Sequence, residues 1–392
     1  MIKRILLAAS AIAIAAGAIM MLAAHGMGAN GAIAWGRGGL RVMAAGEAAN
    51  LSRRGIEGIT SLDIHSDGAD IELIPSDSFG FDIRTYSGEP EWSAEGGKLT
   101  IHERAGSGWL INVDFPLLKE NYGSAYIKVY YPEGDALAGL AELAAESASG
   151  SIVVPDLGVR LRKASLATAS GSIYADSLEA GELALETVSG NINVSGVAPQ
   201  GGAGRADPGA GGTAPGTGMA KIALATSSGN ISADSLEAGE LTLETVSGSI
   251  NVRSMASPRA RLETASGNAK IAWFSGELSA ETVSGRVDIG AADITCGIST
   301  MSGNVYIAAE SITGNVSTVS GEVGISTAAG EDDLAYDIES VSGSVAVGEG
   351  GQRRHGIVRR TPLRGDALLL SIRTMSGNVS VKFGAAAPAP PS

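Results

Sequence analysis

The chain has 392 residues, with 28 Lys and Arg against 42 Asp and Glu, a formal net charge of −14. That balance repels a phosphate backbone, which needs clustered cations, and so excludes nucleic acid as the expected partner. Aromatic residues make up only 4% while glycine reaches 55, so large core side chains are scarce and the composition favours short aliphatic strands with tight turns.

At the N-terminus, Met1-Ile2-Lys3-Arg4 precedes an uncharged stretch from Ile5 to Ala24. Two positive charges before such an apolar run predict an export signal over residues 1–25, with its N-terminus in the cytoplasm. At about 1.5 Å per residue the run is just long enough to span a bilayer. The expectation is a retained helical anchor, giving a single-pass cell-membrane protein with an extracytoplasmic C-terminal region, or a secreted protein if the segment is cleaved. Residues 26–58 are rich in Gly and Ala and read as a linker, and 385–392 (AAAPAPPS, from Ala385 to Ser392) reads as a disordered tail.

From 59 to 384 the dominant signal is a repeat. A unit of the form Leu-x-Leu-Glu-Thr-Val-Ser-Gly-x-Ile-x-Val recurs, and its Ser-Gly pairs end at Gly150, Gly171, Gly190, Gly229, Gly248, Gly267, Gly285, Gly303, Gly321, Gly343 and Gly377. The basic spacing is 18 to 19 residues. Ala175–Val194 and Ala233–Val252 agree at 18 of 20 positions, the mark of a duplication. Within a unit, Leu183, Leu185 and Thr187 alternate with polar neighbours, and Ile192 and Val194 alternate again after the Ser-Gly pair. Two period-two runs broken by glycine read as two strands around a corner. So short a unit cannot bury its apolar face alone, but a stack of copies makes a continuous core. The fold expected is an all-β, single-chain β-solenoid, irregular over 59–140 and regular over 141–384. The threonines from Thr168 to Thr374, with Ser340 as the exception, should form one vertical file.

The period is broken by a Gly/Pro-rich insertion at 200–219, by an acidic piece around Glu331-Asp332-Asp333, and by 350–365, which carries Arg353, Arg354, Arg359, Arg360 and Arg364. All fall eight to eleven residues after a Ser-Gly pair, so they should leave the coil at one corner. Trp273 and Phe274 occupy the same phase. Insertions gathered on one edge, with aromatics near arginines, suit a contact surface. Trp273, Phe274, Arg353, Arg354, Arg359 and Arg360 are therefore the candidate binding residues. The bland reading of the same features is a tolerated loop and a tryptophan that plugs the core.

No Gly-x-Ser-x-Gly elbow, Ser-x-x-Lys or His-Glu-x-x-His occurs. His25, His65, His102 and His355 are scattered without metal-ligand spacing, and no cofactor is expected. Cys296, the one cysteine, excludes an internal disulfide and falls where other coils carry a small interior residue. Glu244, Glu263 and Glu281 share the position before the column threonine in successive coils. Stacked carboxylates of this kind repel, and they could bind Ca²⁺ or act as paired acids on a polysaccharide. A solvated outward face gives the same pattern.

The opening pair Leu62-Asp63-Ile64-His65-Ser66-Asp67-Gly68-Ala69-Asp70-Ile71, the Tyr-Tyr-Pro-Glu-Gly step at Tyr130–Gly134 and the serial Thr-x-Ser-Gly-x-Ile/Val units resemble the bacterial putative-adhesin family, the LiaG-like domain of unknown function. The resemblance covers 59 to 383. It implies a repetitive β-solenoid outside the cytoplasmic membrane, with a role in adhesion or envelope stress and no catalytic residues to transfer. The resulting expectation is a non-enzymatic envelope protein that binds a surface polymer or protein through the loops of one edge. The alternatives are an accessory protein of an envelope-stress signalling system and a carbohydrate-active β-helix enzyme. Open solenoid ends leave the oligomeric state undecided.

Overall fold

Burial alternates along the strands of the repeat and slips by one residue at fixed points. In Ile250–Thr264 the inward residues are Ile250, Val252, Met255, Ser257, Ala260, Leu262 and Thr264, while Arg253-Ser254 and Pro258-Arg259 form outward pairs. A third such pair, Ala265-Ser266, follows before Gly267 turns in again. Because side chains in a strand alternate strictly, each slip marks a bend, so a coil turns three corners around a three-sided core. The structure is a computed structural model that describes residues 33–36, 39–42, 49–85, 90–103, 108–110, 124–198, 221–348, 354–360 and 368–385.

Successive coils pair in parallel, residue over residue. Thr168 lies over Thr187, which lies over Thr226, Thr245, Thr264, Thr282, Thr300 and Thr318 in turn. The expected vertical file is present. Its chemistry explains the residue choice. Thr245 Oγ1 accepts the backbone N–H of Gly248 at 3.0 Å and donates to the carbonyl of Gly229 in the coil below at 3.2 Å. Thr168 and Thr187 do the same with Gly171 and Gly150, and with Gly190 and Gly171. One buried hydroxyl thus closes the turn and ties two coils together, and it satisfies backbone groups that no water can reach.

The period falls from 19 to 18 between Gly248–Gly267 and Gly267–Gly285. The structure places this change at the bend Ser257–Ala260, where the register against Gly276–Leu278 shifts. A second irregularity sets Ala272-Trp273 opposite the single residue Gly290.

The coil order departs from sequence order at both ends, which the repeat did not foretell. At the C-terminal end Leu368–Thr374 inserts between Val305–Thr318 and Leu334–Val347, so the file runs Thr318, Thr374, Ser340. Arg354–Arg360, expected as part of a loop, is a strand antiparallel to Leu334–Val347 that covers the last coil. At the N-terminal end Tyr126–Pro132 lies between Asp70–Ser76 and Phe79–Thr85, and Lys98–Glu103 pairs with Ser61–Ser66. Within the stretch read as a linker, Ala49–Ile56 is a strand paired antiparallel with Phe79–Thr85. The expected N-terminal helix over residues 1–25 and the insertion 200–219 lie outside the described residues. Among the described residues no helix is long and apolar enough to cross a membrane.

Candidate functional site

The Thr-Val-Ser-Gly corner shapes a long trough. The column threonine forms a buried floor, and the residues before and after it stand up as two walls. The trough has a volume of about 1130 Å³ and runs from the coil of His65 to that of Val319.

One wall is acidic. Glu186, Ala225, Glu244, Glu263 and Glu281 stack in register. Arg261 reaches across from the strand face to pair with Glu263 and lies 3.9 Å from Glu281. Glu263, then Glu281 and Glu244, hold the Arg261 guanidinium above its ordinary pKa. At Glu244, Glu263 and Glu281, where Ca²⁺ was the expectation, Arg261 is the cation that the structure places, and no group of His, Cys, Asp and Glu that could hold a metal is found among the described residues. A second column on the same face contrasts with this one. There Glu142, Lys163, Glu182, Lys221 and Glu240 alternate in sign and cancel coil by coil.

The other wall is apolar. Val188, Val246, Val283, Met301 and Val319 are each about half exposed, and the file continues through Met375 and Val341. Ser227 and Ala265 interrupt the file between Val188 and Val283, whereas from Val283 to Val341 it is unbroken. Isolated exposed aliphatics are ordinary on a soluble surface, but an unbroken run of them is not. Ser247, Ser266, Ser284 and Ser302 border this wall and donate to the carbonyl of the file residue one coil below. The strand backbone beneath is paired from coil to coil, so side chains are what the trough offers for contacts.

The residues expected to form the contact edge do not converge. Trp273 is half-buried at the bend, lying over Ser254. Phe274 is corrected outright: it is fully buried, stacked between Met255 and the small Ala291, whose missing volume it fills. Arg359 pairs with Asp337 at 2.7 Å. Arg360 pairs with Glu331 at 2.6 Å and with Asp332. The basic and acidic insertions therefore neutralise each other at the end of the rod, several coils from Trp273. Arg353 lies outside the described residues, and Arg354 is placed only as backbone of the covering strand. Cys296 is buried over Leu278 and beneath Gly314, and burial pushes its thiol pKa up to about 12. It is an interior residue.

The valine and methionine file was the feature missed in the sequence. Its signal was present in the Thr-Val-Ser-Gly and Thr-Met-Ser-Gly tetrads, where an aliphatic recurs one step beyond a buried threonine and so must point outward.

At one end of the trough, His65 sits between Asp63 at 2.9 Å and Glu146 at 3.2 Å and stacks on His102 with ring centroids 4.8 Å apart. Tyr174, Asn193, Ser232, Asn251 and Lys270 stack in register across a shallower trough on a second face.

Comparison with known proteins gives no match among curated sequences. Among solved structures, a putative adhesin from Parabacteroides distasonis is 14% identical with a TM-score of 0.39, covering 71% of this chain and 97% of its own. A putative adhesin from Parabacteroides merdae is 13% identical with a TM-score of 0.41, covering 71% and 96%. A putative lipid binding protein from P. distasonis is 18% identical with a TM-score of 0.35, covering 72% and 97%. The Toastrack DUF4097 family model matches residues 59–201 and 217–382, leaving a gap inside the Gly/Pro-rich insertion, and the chain belongs to that family.

Proposed function

We propose that this protein is a non-enzymatic binding rod of the cell envelope, exported and held to the membrane by its N-terminal segment. In this reading it engages a surface protein or polymer along its side. The supporting observation is the unbroken exposed run Val283, Met301 and Val319, with Val246 and Val188 further along the same file beside the acidic column, because adjacent apolar side chains left in water are a cost that a partner removes. Catalysis finds little support in the same groups. The column hydroxyls are engaged in closing turns, as at Thr245, and Arg261 is paired with the glutamate next to it. The pull-down of envelope fractions by the purified full-length chain tests this reading. Recovery of a saturable partner is expected, and turnover of a polysaccharide that is abolished in Glu263→Gln would overturn it. For topology, a C-terminal tag should be digested by protease added to intact cells stripped of wall or outer membrane. A tag protected under those conditions would refute export.

A further inference from the structure

We infer that the corner trough is a docking site for a cationic amphipathic helix of a partner protein, laid along the rod. This rests on the binding-rod reading and names the partner's chemistry. The two walls differ in kind. Glu186, Glu244, Glu263 and Glu281 face Val188, Val246 and Val283 across a buried threonine floor. Among the described residues, Arg261 is the cation paired with this wall, whereas the alternating column beside it is balanced coil by coil. The surplus negative charge calls for a cation, and the parallel apolar file calls for an aliphatic stripe on the same ligand.

The spacing selects a helix. The coils that carry both walls, those of Glu186, Glu244 and Glu281, alternate with the coils of Ala225 and Glu263 and so recur every ~9.6 Å, close to the ~10.8 Å of two helix turns. The drift of roughly 0.6 Å per turn accumulates to about 3 Å over five coils, within the reach of a flexible lysine. Aliphatics at i and i+7 of the same helix would then meet Val188, Val246 and Val283, with those at i+3 and i+4 over the smaller Ser227 and Ala265. An added β-strand does not fit, because the backbone under the trough is already paired from coil to coil. A second copy of this chain would set one acidic column against another, and an anionic membrane would meet the same repulsion.

The test uses the full-length chain in nanodiscs of zwitterionic lipid, titrated with a synthetic Lys/Leu amphipathic helix and with its Glu/Leu counterpart. Binding of the Lys/Leu helix alone is expected, weakening as salt is raised. The triple variant Glu186→Gln, Glu244→Gln, Glu281→Gln should lose about tenfold in affinity. The triple variant Val188→Ser, Val246→Ser, Val283→Ser should lose a similar factor at unchanged salt slope, with both variants keeping the parent circular dichroism and melting temperature. Equal binding of the Glu/Leu helix would overturn the proposal, as would undiminished binding by either variant. Self-association lost in the valine variant, or preferential binding to phosphatidylglycerol vesicles, would overturn it too. If an envelope partner is recovered equally by both variants, the helix-docking inference fails while the binding-rod reading stands.

Discussion

The carbonyl oxygen of Gly248 stands where a Cβ on Gly267 would have to go. The same holds up the file from Gly171, with each glycine's missing side chain replaced by the carbonyl of the glycine in the adjoining coil, and at Gly150 by the carbonyl of Ala69. Glycine is required here by the close approach of two backbones at the corner. Gly267→Ala should therefore push the coils apart, costing about 3 kcal/mol in denaturant unfolding. Gly297→Ala is the control: nothing lies within 4 Å of its Cβ position, and a change within about 0.5 kcal/mol is expected.

That stack was legible in the sequence because its cause is strictly local. Thr264 and Gly267, three residues apart, make a bond that the coils repeat from Thr168 to Thr300 and again at Thr374 and Ser340, so each of those coils must carry the pair. The acidic column and the valine file recur at fixed positions but less regularly, with Ala225 in the one and Ser227 and Ala265 in the other, and Arg261, two residues from Glu263, shows its neutralising role only in space. Phe274 was misplaced because the bend at Ala272-Trp273 shifts the inward phase by one residue. A period count locates a residue along the chain but does not reveal a register shift. The order of the last coils was hidden for a different reason: Thr374 and Ser340 fit the template equally well, and only long-range pairing decides which lies next to Thr318.

Thr245 bridges Gly248 and Gly229 through one oxygen, which separates its two possible roles. Thr245→Val keeps shape and burial but strands a buried N–H and a buried carbonyl, so a loss of about 1–3 kcal/mol is expected. Thr245→Ser keeps both bonds and removes a methyl, costing about 0.8 kcal/mol. Equal losses in the two variants, measured by urea unfolding, would show that packing rather than the hydrogen bond stabilises the file.

Acid should loosen the N-terminal coils first. Burial raises the pKa of Asp63, but Lys98 at 2.6 Å and His65 outweigh it, leaving the carboxyl below its ordinary 3.8. Asp82 behaves alike: burial raises it, and the hydrogen bonds from Arg54, Ser52 and Tyr130 bring it down further. A carboxyl whose folded pKa is depressed contributes stability that is complete above its unfolded value and disappears as pH drops through the folded one. The melting temperature should hold down to about pH 5 and then fall through the range beneath 3.8. The double variant Asp63→Asn, Asp82→Asn should start lower at neutral pH and converge with the parent in acid. Parallel curves for the two proteins would contradict this assignment.

The last coil in sequence is not the last in space, and truncation exposes the difference. Leu368–Thr374 and Val379–Lys382 are sandwiched between the coil of Val305–Thr318 and that of Leu334–Val347. In a solenoid wound in sequence order, cutting off the final coil removes one outer rung and leaves one new edge. Here a chain ending before Leu368 loses an inner rung, so Val305–Thr318 and Leu334–Val347 both lose their partners. Thr318, at this seam, already has a buried hydroxyl without a partner among the described residues. Two unpaired parallel edges invite pairing with other chains. The truncated protein should therefore sediment as aggregate and lose cooperative unfolding. In hydrogen exchange on the intact chain, the amides of Ile372 and Val381 should be protected as strongly as those of Leu243, in the middle of the rod. Early exchange at Ile372 and Val381 would place this coil at an open end and refute the inserted order.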